Sequence, residues 1–180
     1  GFGESLGRMI NDERFRDKVL NKGARSDSPR TFRYPEVSIL ATGYRLDIPV
    51  TIHATIGTDV TDQHPNFDGA AKGGTSARDF MIFVDTMAKM TSGGVVLNIG
   101  SAVTGPEVLL KAVSMSANVG CPPQNIITAD FDLRPHEPHS MGNEDSLFYY
   151  YRDQKSVVTR IPQSFGGKGY YIQGDKRVTI

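Results

Sequence analysis

The fold is decided by the stretch Gly94-Val-Val-Leu-Asn-Ile-Gly100-Ser-Ala-Val-Thr104-Gly-Pro106-Glu107. Its first half is a short β-branched run, 95–99, with apolar residues on both faces, which is typical of a strand buried on both sides in a parallel sheet. Gly100 and the small residues after it predict a turn. Thr104 and Glu107 have capping-box spacing around Pro106, which predicts the start of a helix. A strand, a glycine turn and a capped helix place free backbone N–H groups at the carboxyl edge of a sheet, where nucleotide phosphates often bind.

Two interpretations of this turn remain open. The stretch lacks both G-x-G-x-x-G and G-x-x-x-x-G-K-[ST], the two standard phosphate-binding motifs. A glycine between a strand and a helix also serves tight packing alone. The turn is therefore either part of a nucleotide site or a purely structural connection.

Composition limits the class of protein. The 180 residues suffice for one domain with a substantial core. Twenty Lys and Arg balance twenty Asp and Glu, so we expect neither nucleic acid nor an anionic membrane as a partner. A single cysteine, Cys121, cannot form an internal disulfide, which favours a cytoplasmic location. No apolar run is long enough to span a bilayer.

Helical and strand-like patterns alternate along the chain, which predicts parallel βα units. We expect a single α/β domain over 1–180, with a Rossmann-like core at 34–132 and an irregular or hairpin tail at 133–180. The chain begins at Gly1 without Met and stops within a predicted element, which indicates a fragment. The predicted helices are 4–20, a second from Pro35 to Leu46, a third that begins where Ser76 and Asp79 have N-cap spacing, and 106–118. The predicted strands are 48–56, 95–99, 125–131 and 170–173, with a late hairpin over 147–151 and 156–161 and polar loops at 22–33 and 57–75.

Two polar clusters follow predicted strands, and together they hold all four histidines. If those strands are neighbours, the clusters face one crevice, because ligands bind at the carboxyl ends of parallel strands. The clusters suit a polar pocket for an amine or amino acid, or a metal site built on His53, Asp59 and His64 with Asp130 and His136. Asp59 alternatively caps its own loop. The first cluster contains His53, Gly57, Thr58, Asp59, Asp62, His64 and Asp68; the second contains Asp130, Asp132, Arg134, His136 and His139.

Several short motifs resemble the second half of deoxyhypusine synthase, over roughly residues 34–132. His53-Ala-Thr-Ile-Gly-Thr-Asp59 and the run from Gly100 to Glu107 are similar to those of uncharacterised bacterial relatives of that family. The motifs are Tyr34-Pro-Glu-Val-Ser-Ile-Leu-Ala41, Asp47-Ile-Pro-Val50, the glycine–aspartate loop 57–59, Gly93-Gly94-Val-Val-Leu-Asn-Ile-Gly100-Ser, Asn118-Val-Gly120 and Ile126-Ile-Thr-Ala-Asp130.

This resemblance implies a Rossmann-like, NAD-binding fold and a homo-oligomer. The family oxidises spermidine with NAD and transfers an aminobutyl group through an enzyme-lysine imine. Carried over, Gly57, Thr58 and Asp59 would line the ligand loop, and Gly100 and Ser101 would lie under the dinucleotide. The segment from Asp132 to Asp145, where the family has its imine-forming lysine, contains no lysine. We therefore do not expect deoxyhypusine synthesis itself.

The resulting prediction is an NAD-binding protein with redox-assisted chemistry on an amine or amino acid. Histidine has an ordinary pKa near 6.5, so His64 is suited to proton exchange near neutrality. A metal-dependent hydrolase and a non-catalytic assembly subunit are the alternatives. The predicted catalytic residues are Asp59, His64 and Asp132, and the predicted cofactor-binding residues are Gly57, Thr58, Gly100, Ser101 and Asp130.

Overall fold

The computed structural model describes residues 1–20 and 31–180. We predicted one domain, and the structure divides into two compact units, Gly1–Ile82 and Phe83–Ile180. We call them unit 1 and unit 2 and describe each by itself. The polar loop predicted at 22–33 lies largely outside the described residues.

Unit 1 begins with two helices where the sequence predicts one. Helix α1 (Phe2–Asn11) and helix α2 (Glu13–Leu20) are separated by Asp12, whose backbone is extended. Asp12 Oδ1 accepts a hydrogen bond from Phe15 N (3.0 Å), so this side chain caps α2. The predicted second helix begins as a 3-10 turn at Pro35–Val37, and helix α3 then runs over Ile39–Arg45.

Helices α1 and α3 approach closely because glycine lies at their contact. A Cβ on Gly7 would lie 2.8 Å from Tyr44 Cβ and would also meet the Leu40 carbonyl oxygen. Asn11 Nδ2 donates to the carbonyl oxygens of Gly7 and Ala41, both at 2.9 Å. One amide therefore links the two helix backbones.

The strand predicted at 48–56 is wrong, because this extended segment pairs with no strand in the described part of the chain. Its backbone groups bind side chains instead. Ile52 N donates to Asp79 Oδ2 (2.9 Å), and Ala54 N donates to Ser76 Oγ (2.9 Å). Asp79 Oδ2 also accepts from Gly3 N (3.0 Å), so this buried carboxylate ties the segment to the first turn of α1.

Helix α4 (Gly69–Ala88) begins before Ser76 and Asp79, so the predicted capping role of those two residues is wrong. Asp68 takes that role, because its Oδ1 accepts from Ala71 N (3.0 Å). Ser76 and Asp79 lie within the helix and hold the extended segment just described.

Unit 2 contains a three-stranded parallel sheet flanked by helices, an α/β arrangement compatible with a Rossmann-like fold. Strands β1 (Gly94–Ile99), β2 (Ile126–Asp132) and β3 (Lys168–Gln173) lie in that order. These strands confirm the predictions at 95–99, 125–131 and 170–173. Helix α5 (Thr104–Asn118) joins β1 to β2, close to its predicted range.

One face of the sheet in unit 2 carries the buried side chains of Ile126 and Thr128. A π-helix over Gln154–Arg160 lies against that face, where Thr128 Oγ1 donates to the Val157 carbonyl oxygen. On the other face, the side chains of Val95, Leu97 and Ile99 are about half exposed to solvent. The prediction that β1 is buried on both sides is therefore wrong. Helices α6 (Ile161–Ser164) and α7 (Lys176–Thr179) are short. The fully or nearly buried core residues of unit 2 include Met87, Leu109, Ala112, Val113, Ile126, Val157 and Ile161.

The late hairpin is also wrong. Residues Leu147–Tyr150 form a 3-10 turn, and the second predicted strand lies within the π-helix and the start of α6. Local backbone bonds, such as Lys155 N to the Tyr151 carbonyl oxygen (3.0 Å), replace a strand ladder. Val157 and Val158 lie in this helical segment, and both are buried. Their β-branched side chains therefore contribute to the core without forming a strand.

Candidate functional site

A cluster of polar side chains lies where the three strands of unit 2 approach their carboxyl ends. Asn98, Asp130 and Tyr171 occupy matching register positions on β1, β2 and β3, so their side chains share one face of the sheet. Other members come from the segment after β2 and from the start of the π-helix. We call this set the edge cluster: Asn98, Asp130, Asp132, Arg134, His136, Asp153, Gln154 and Tyr171.

Asp130 is the most deeply buried acid of the edge cluster, with no exposed surface. Its Oδ1 accepts from Asn98 Nδ2 (2.7 Å), whereas its Oδ2 has no partner. Burial raises the pKa of Asp130 to about 6, and the nearby carboxylates of Asp153 and Asp132 add to this shift while the Asn98 hydrogen bond opposes it. Asp130 therefore changes charge close to neutral pH.

Arg134 holds the other two carboxylates of the edge cluster. Its Nε binds Asp132 Oδ2 and its Nη2 binds Asp153 Oδ2. Asp153 is 1 % exposed, its Oδ1 has no partner, and burial raises its pKa. Three carboxylates thus face one guanidinium, which leaves an excess of negative charge and two buried oxygens, on Asp130 and Asp153, that lack a donor.

Gln154 organises the remaining side chains. Its Nε2 donates to the Pro135 carbonyl oxygen (3.0 Å) and to Tyr171 Oη (3.2 Å). Its Oε1 therefore accepts from His136 Nδ1 (2.9 Å), and the His136 ring stacks on Tyr171 with centroids 4.5 Å apart. Burial and the neighbouring carboxylates raise the pKa of Tyr171 to about 12, so this phenol remains protonated and donates to the Arg134 carbonyl oxygen.

The turn between β1 and α5 adjoins the edge cluster. Gly100 has a φ of +71°, a conformation that favours glycine. Asn98 Nδ2, which binds Asp130, also donates to the Ser101 carbonyl oxygen (2.8 Å). One amide therefore joins the glycine turn to the buried acid.

The predicted capping box of α5 is wrong. Ser101 Oγ accepts from Gly105 N (2.8 Å), and no side chain caps the helix at Val103. Glu107 instead pairs with Lys111 one turn later, and this contact lowers the pKa of Glu107. The β1–α5 connection is thus stabilised by a serine within the turn.

Lys176 lies over the same turn. A Cβ on Gly100 would lie 3.1 Å from Lys176 Cε and 3.3 Å from its Nζ. Within 1–20 and 31–180, no carboxylate forms an ion pair with Lys176. A cation therefore lies beside a positive-φ glycine, a combination suited to a phosphate group. Hydrogen bonds from Arg177 lower the pKa of the neighbouring Asp175, and the charge of Lys176 lowers it further.

In unit 1, the predicted ligand loop is closed by internal bonds. Lys72 Nζ binds Asp59 Oδ2 (2.5 Å) and also Asp62, and Gly57 N donates to Asp62 Oδ2 (2.6 Å). Burial lowers the pKa of Lys72, but the hydrogen bonds to Asp59 and Asp62 outweigh it and leave the pKa raised. The same contact with Lys72 lowers the pKa of Asp62. Thr58 Oγ1 donates to the Thr55 carbonyl oxygen (3.0 Å), so it too bonds within the loop.

The two histidines of unit 1 have different surroundings. His53 packs edge-on against Phe80 and its Nε2 lies 3.0 Å from Thr51 Oγ1, and burial lowers its pKa although Asp79 opposes this shift. His64 is exposed, and its Nδ1 accepts from Asn66 N (3.2 Å). The neutral His64 ring therefore carries its proton on Nε2.

The predicted site residues fall in both units. Gly57, Thr58, Asp59 and His64 belong to unit 1, and Gly100, Ser101, Asp130 and Asp132 belong to unit 2. We expected neighbouring strands to bring both clusters to one crevice. That expectation assumed a strand at 48–56, and this segment is not a strand. Within unit 2, the structure does join the glycine turn to Asp130 through Asn98.

Besides Asn98 on β1, four residues of unit 2 were missed by sequence reasoning. Asp153, Gln154 and Tyr171 reach the edge cluster from far along the chain, and Lys176 reaches the glycine turn from α7. Only Tyr171 had a usable signal, because strand alternation in Lys168–Gln173 gives it a fixed face. The other three lie in segments without a recognisable motif.

In the part of the chain that the structure describes, no group of three or more His, Cys, Asp or Glu residues is placed to hold a metal ion. Nor does any described helix combine the length and apolar character needed to cross a membrane.

Comparison with family models, with curated proteins and with solved structures found no match to this chain.

Proposed function

We propose that this chain binds NAD at the β1–α5 turn and supports a redox-assisted reaction on an amine or amino acid, as a relative of the deoxyhypusine synthase type. The observation that carries the proposal is the pair of buried carboxylates, Asp130 and Asp153, each with an unpartnered oxygen, adjoining a glycine turn. The family and the cofactor come from the sequence resemblance. The edge cluster supplies the independent argument for the substrate.

The residues at the turn fit a dinucleotide. Gly100 lets the backbone turn with positive φ, and Lys176 provides a cation for a pyrophosphate group. Ser101 fixes the first turn of α5 through Gly105 N.

The edge cluster fits a cationic substrate. An ammonium group offers three N–H donors, and Asp130 Oδ2 and Asp153 Oδ1 are buried acceptors without donors. Because three carboxylates face one guanidinium, a further positive charge lowers the electrostatic cost of the cluster.

Bound NAD would supply the hydride acceptor. Asp130, with a pKa of about 6, is charged at neutral pH and can take a proton from the ammonium group. Asp132 orients Arg134 toward Asp153.

Calorimetric titration with NAD tests the cofactor. We expect saturable binding to the unmodified chain and at least tenfold weaker binding to Gly100→Asp. Gly120→Asp is the matched control, because Gly120 has a φ of +81° at the opposite end of α5 and bears the same backbone strain. Absence of NAD binding to the unmodified chain, or equal losses in both folded variants, would contradict the proposal.

Titration with 1,4-diaminobutane in the presence of NAD tests the substrate class. We expect Asp153→Asn to weaken diamine binding at least tenfold, because it removes a buried charge. Asp145→Asn, which changes an exposed acid of unit 2, should bind like the unmodified chain. Circular dichroism verifies that both variants are folded, and equal diamine binding by both would rule out the edge cluster as the amine site.

A further inference from the structure

Unit 1 contains a solvent-open surface cavity of about 820 Å³ with mostly exposed lining residues, which neither the dinucleotide nor the amine site uses. This volume lies in the range of pockets that enclose small organic ligands, about 300–1,000 Å³. Its walls come from the start of α1, from residues 60–68 and from the first turns of α4. We call it the α4 cavity.

The walls of the α4 cavity are fixed by bonds within unit 1. Lys72, on α4, binds Asp59 and Asp62 and so ties the loop to the helix. Phe67 N donates to the His64 carbonyl oxygen (2.8 Å), and Asp68 caps α4. A ligand would enter a shape that already exists, so little conformational entropy is lost on binding.

The surface of the cavity is apolar and aromatic. Phe2 and Phe67 present rings, and Val60, Pro65 and Ala71 add aliphatic surface. Aromatic side chains stack favourably on flat ring systems. The shape and chemistry therefore favour a planar ligand.

The charges around the cavity disfavour an anion. Lys72 is its lining cation, and this ammonium is already neutralised by two carboxylates. Asp68 adds a further negative charge to the lining. An anionic ligand would find no unpaired cation there.

The uncharged polar side chains that line the cavity are Thr61, Gln63, His64, Asn66 and Thr75, and His64 is the one whose donor atom the structure defines. His64 lines the cavity, and because its Nδ1 accepts from Asn66 N, its Nε2 carries the proton and is a donor. A ligand oxygen can accept that hydrogen bond.

We propose that the α4 cavity binds a planar, uncharged aromatic compound that accepts a hydrogen bond from His64 Nε2. This site is separate from the proposed NAD and amine sites and stands without them.

Coumarin is a suitable probe, because it is planar and uncharged and carries a carbonyl acceptor. Titration followed by amide chemical shifts should show one saturable site, with shifts confined to residues 60–68 and the first turns of α4. Naphthalene-2-sulfonate, a flat anion of similar size, should bind at least tenfold more weakly.

Two variants of α4 separate filling of the cavity from a general effect on the helix. Ala71→Trp places a large ring in the cavity and should abolish coumarin binding. Ala77→Trp makes the same change at an exposed position of α4 outside the cavity lining and should leave binding unchanged. His64→Phe keeps an aromatic ring without the donor and should weaken binding about tenfold, as expected for about 1.4 kcal/mol.

Failure of coumarin to saturate the unmodified chain would overturn the proposal. Equal binding by Ala71→Trp and Ala77→Trp would do the same. If Ala71→Trp does not fold, Phe67→Ala provides a second test of the site. This variant removes an aromatic side chain from the lining and should also weaken coumarin binding. Neither outcome affects the NAD titration, because Gly100 and Lys176 belong to unit 2.

Discussion

At the scale of single residues, the fold treats two buried acids differently. Asp79 Oδ2 accepts from Gly3 N and Ile52 N, so this carboxylate completes backbone hydrogen bonding. Asp130 accepts from one amide and otherwise faces the carboxylates of Asp132 and Asp153. Asp79 therefore has a structural role, whereas the surroundings of Asp130 disfavour its charged form.

Asp130→Asn should stabilise the protein at pH 8 and about half as much at pH 5. The folded pKa of about 6 lies above the ordinary value of 3.8, so the folded state holds this proton more tightly than the unfolded state. The free energy of unfolding is therefore highest below about pH 4, falls as the pH rises to about 6, and stays lower above it. At about 1.4 kcal/mol per pKa unit, the penalty that Asp130→Asn removes at pH 8 is at most about 3 kcal/mol.

Thermal unfolding of both proteins at pH 5 and pH 8 measures this effect. The variant should melt several degrees higher than the unmodified chain at pH 8 and about half as many degrees higher at pH 5. Other titrating groups cancel in the difference between the two proteins. A variant that loses stability equally at both pH values would show that the charged carboxylate is a structural requirement.

At the scale of elements, unit 1 depends on close helix contact more than on large apolar side chains. α1 and α3 meet at Gly7, with Asn11 donating to both backbones. Glycine within a helix ordinarily lowers helix stability by about 1 kcal/mol relative to alanine. The close contact is therefore maintained against local helix propensity.

Gly7→Ala should destabilise the protein by about 1–3 kcal/mol, because the new methyl group overlaps Tyr44 and Leu40. Gly74→Ala is the matched control, since Gly74 lies within α4 with no atom near its Cβ position. That change should be neutral or stabilise by up to about 1 kcal/mol. Urea unfolding measures both, and a stabilising Gly7→Ala would show that α1 moves away from α3 at little cost.

At the scale of the whole molecule, unit 2 presents an apolar sheet face. Val95, Leu97 and Ile99 on β1 are half exposed, as are Ile127 and Tyr170 on the neighbouring strands. Contiguous exposed apolar surface commonly marks an interface. The sequence resemblance predicts a homo-oligomer, and this face is its candidate contact.

Leu97→Lys should weaken self-association at least tenfold, because it places a charge in the middle of this face. Val119→Lys introduces the same charge at an exposed position at the end of α5 and should leave association unchanged. Sedimentation velocity over a range of protein concentrations measures both variants. A protein that stays monomeric throughout, or equal effects of both variants, would contradict the predicted contact.

Local sequence was sufficient for the elements whose hydrogen bonds are made within one βα unit. The β-branched runs at 95–99 and 126–132, the glycine between β1 and α5, and α5 itself carry their own periodicity and turn chemistry. The fold class and the place of Gly100, Ser101 and Asp130 in unit 2 followed from those patterns. The same patterns could not say which face of the sheet is covered, because covering depends on distant segments.

Only the tertiary structure decided where backbone groups without a local partner are satisfied, and which charges are buried together. The sequence of 48–56 is typical of a strand. In the structure, the side chains of Asp79 and Ser76 accept hydrogen bonds from backbone N–H groups of this segment, in place of a neighbouring strand. Asp153 meets Arg134 and Gln154 meets Tyr171 across long stretches of chain. Sequence by itself determined that acids lie at the carboxyl end of β2. The pKa of Asp130 and the unpartnered oxygens arise from burial and from these distant neighbours, which periodicity does not encode.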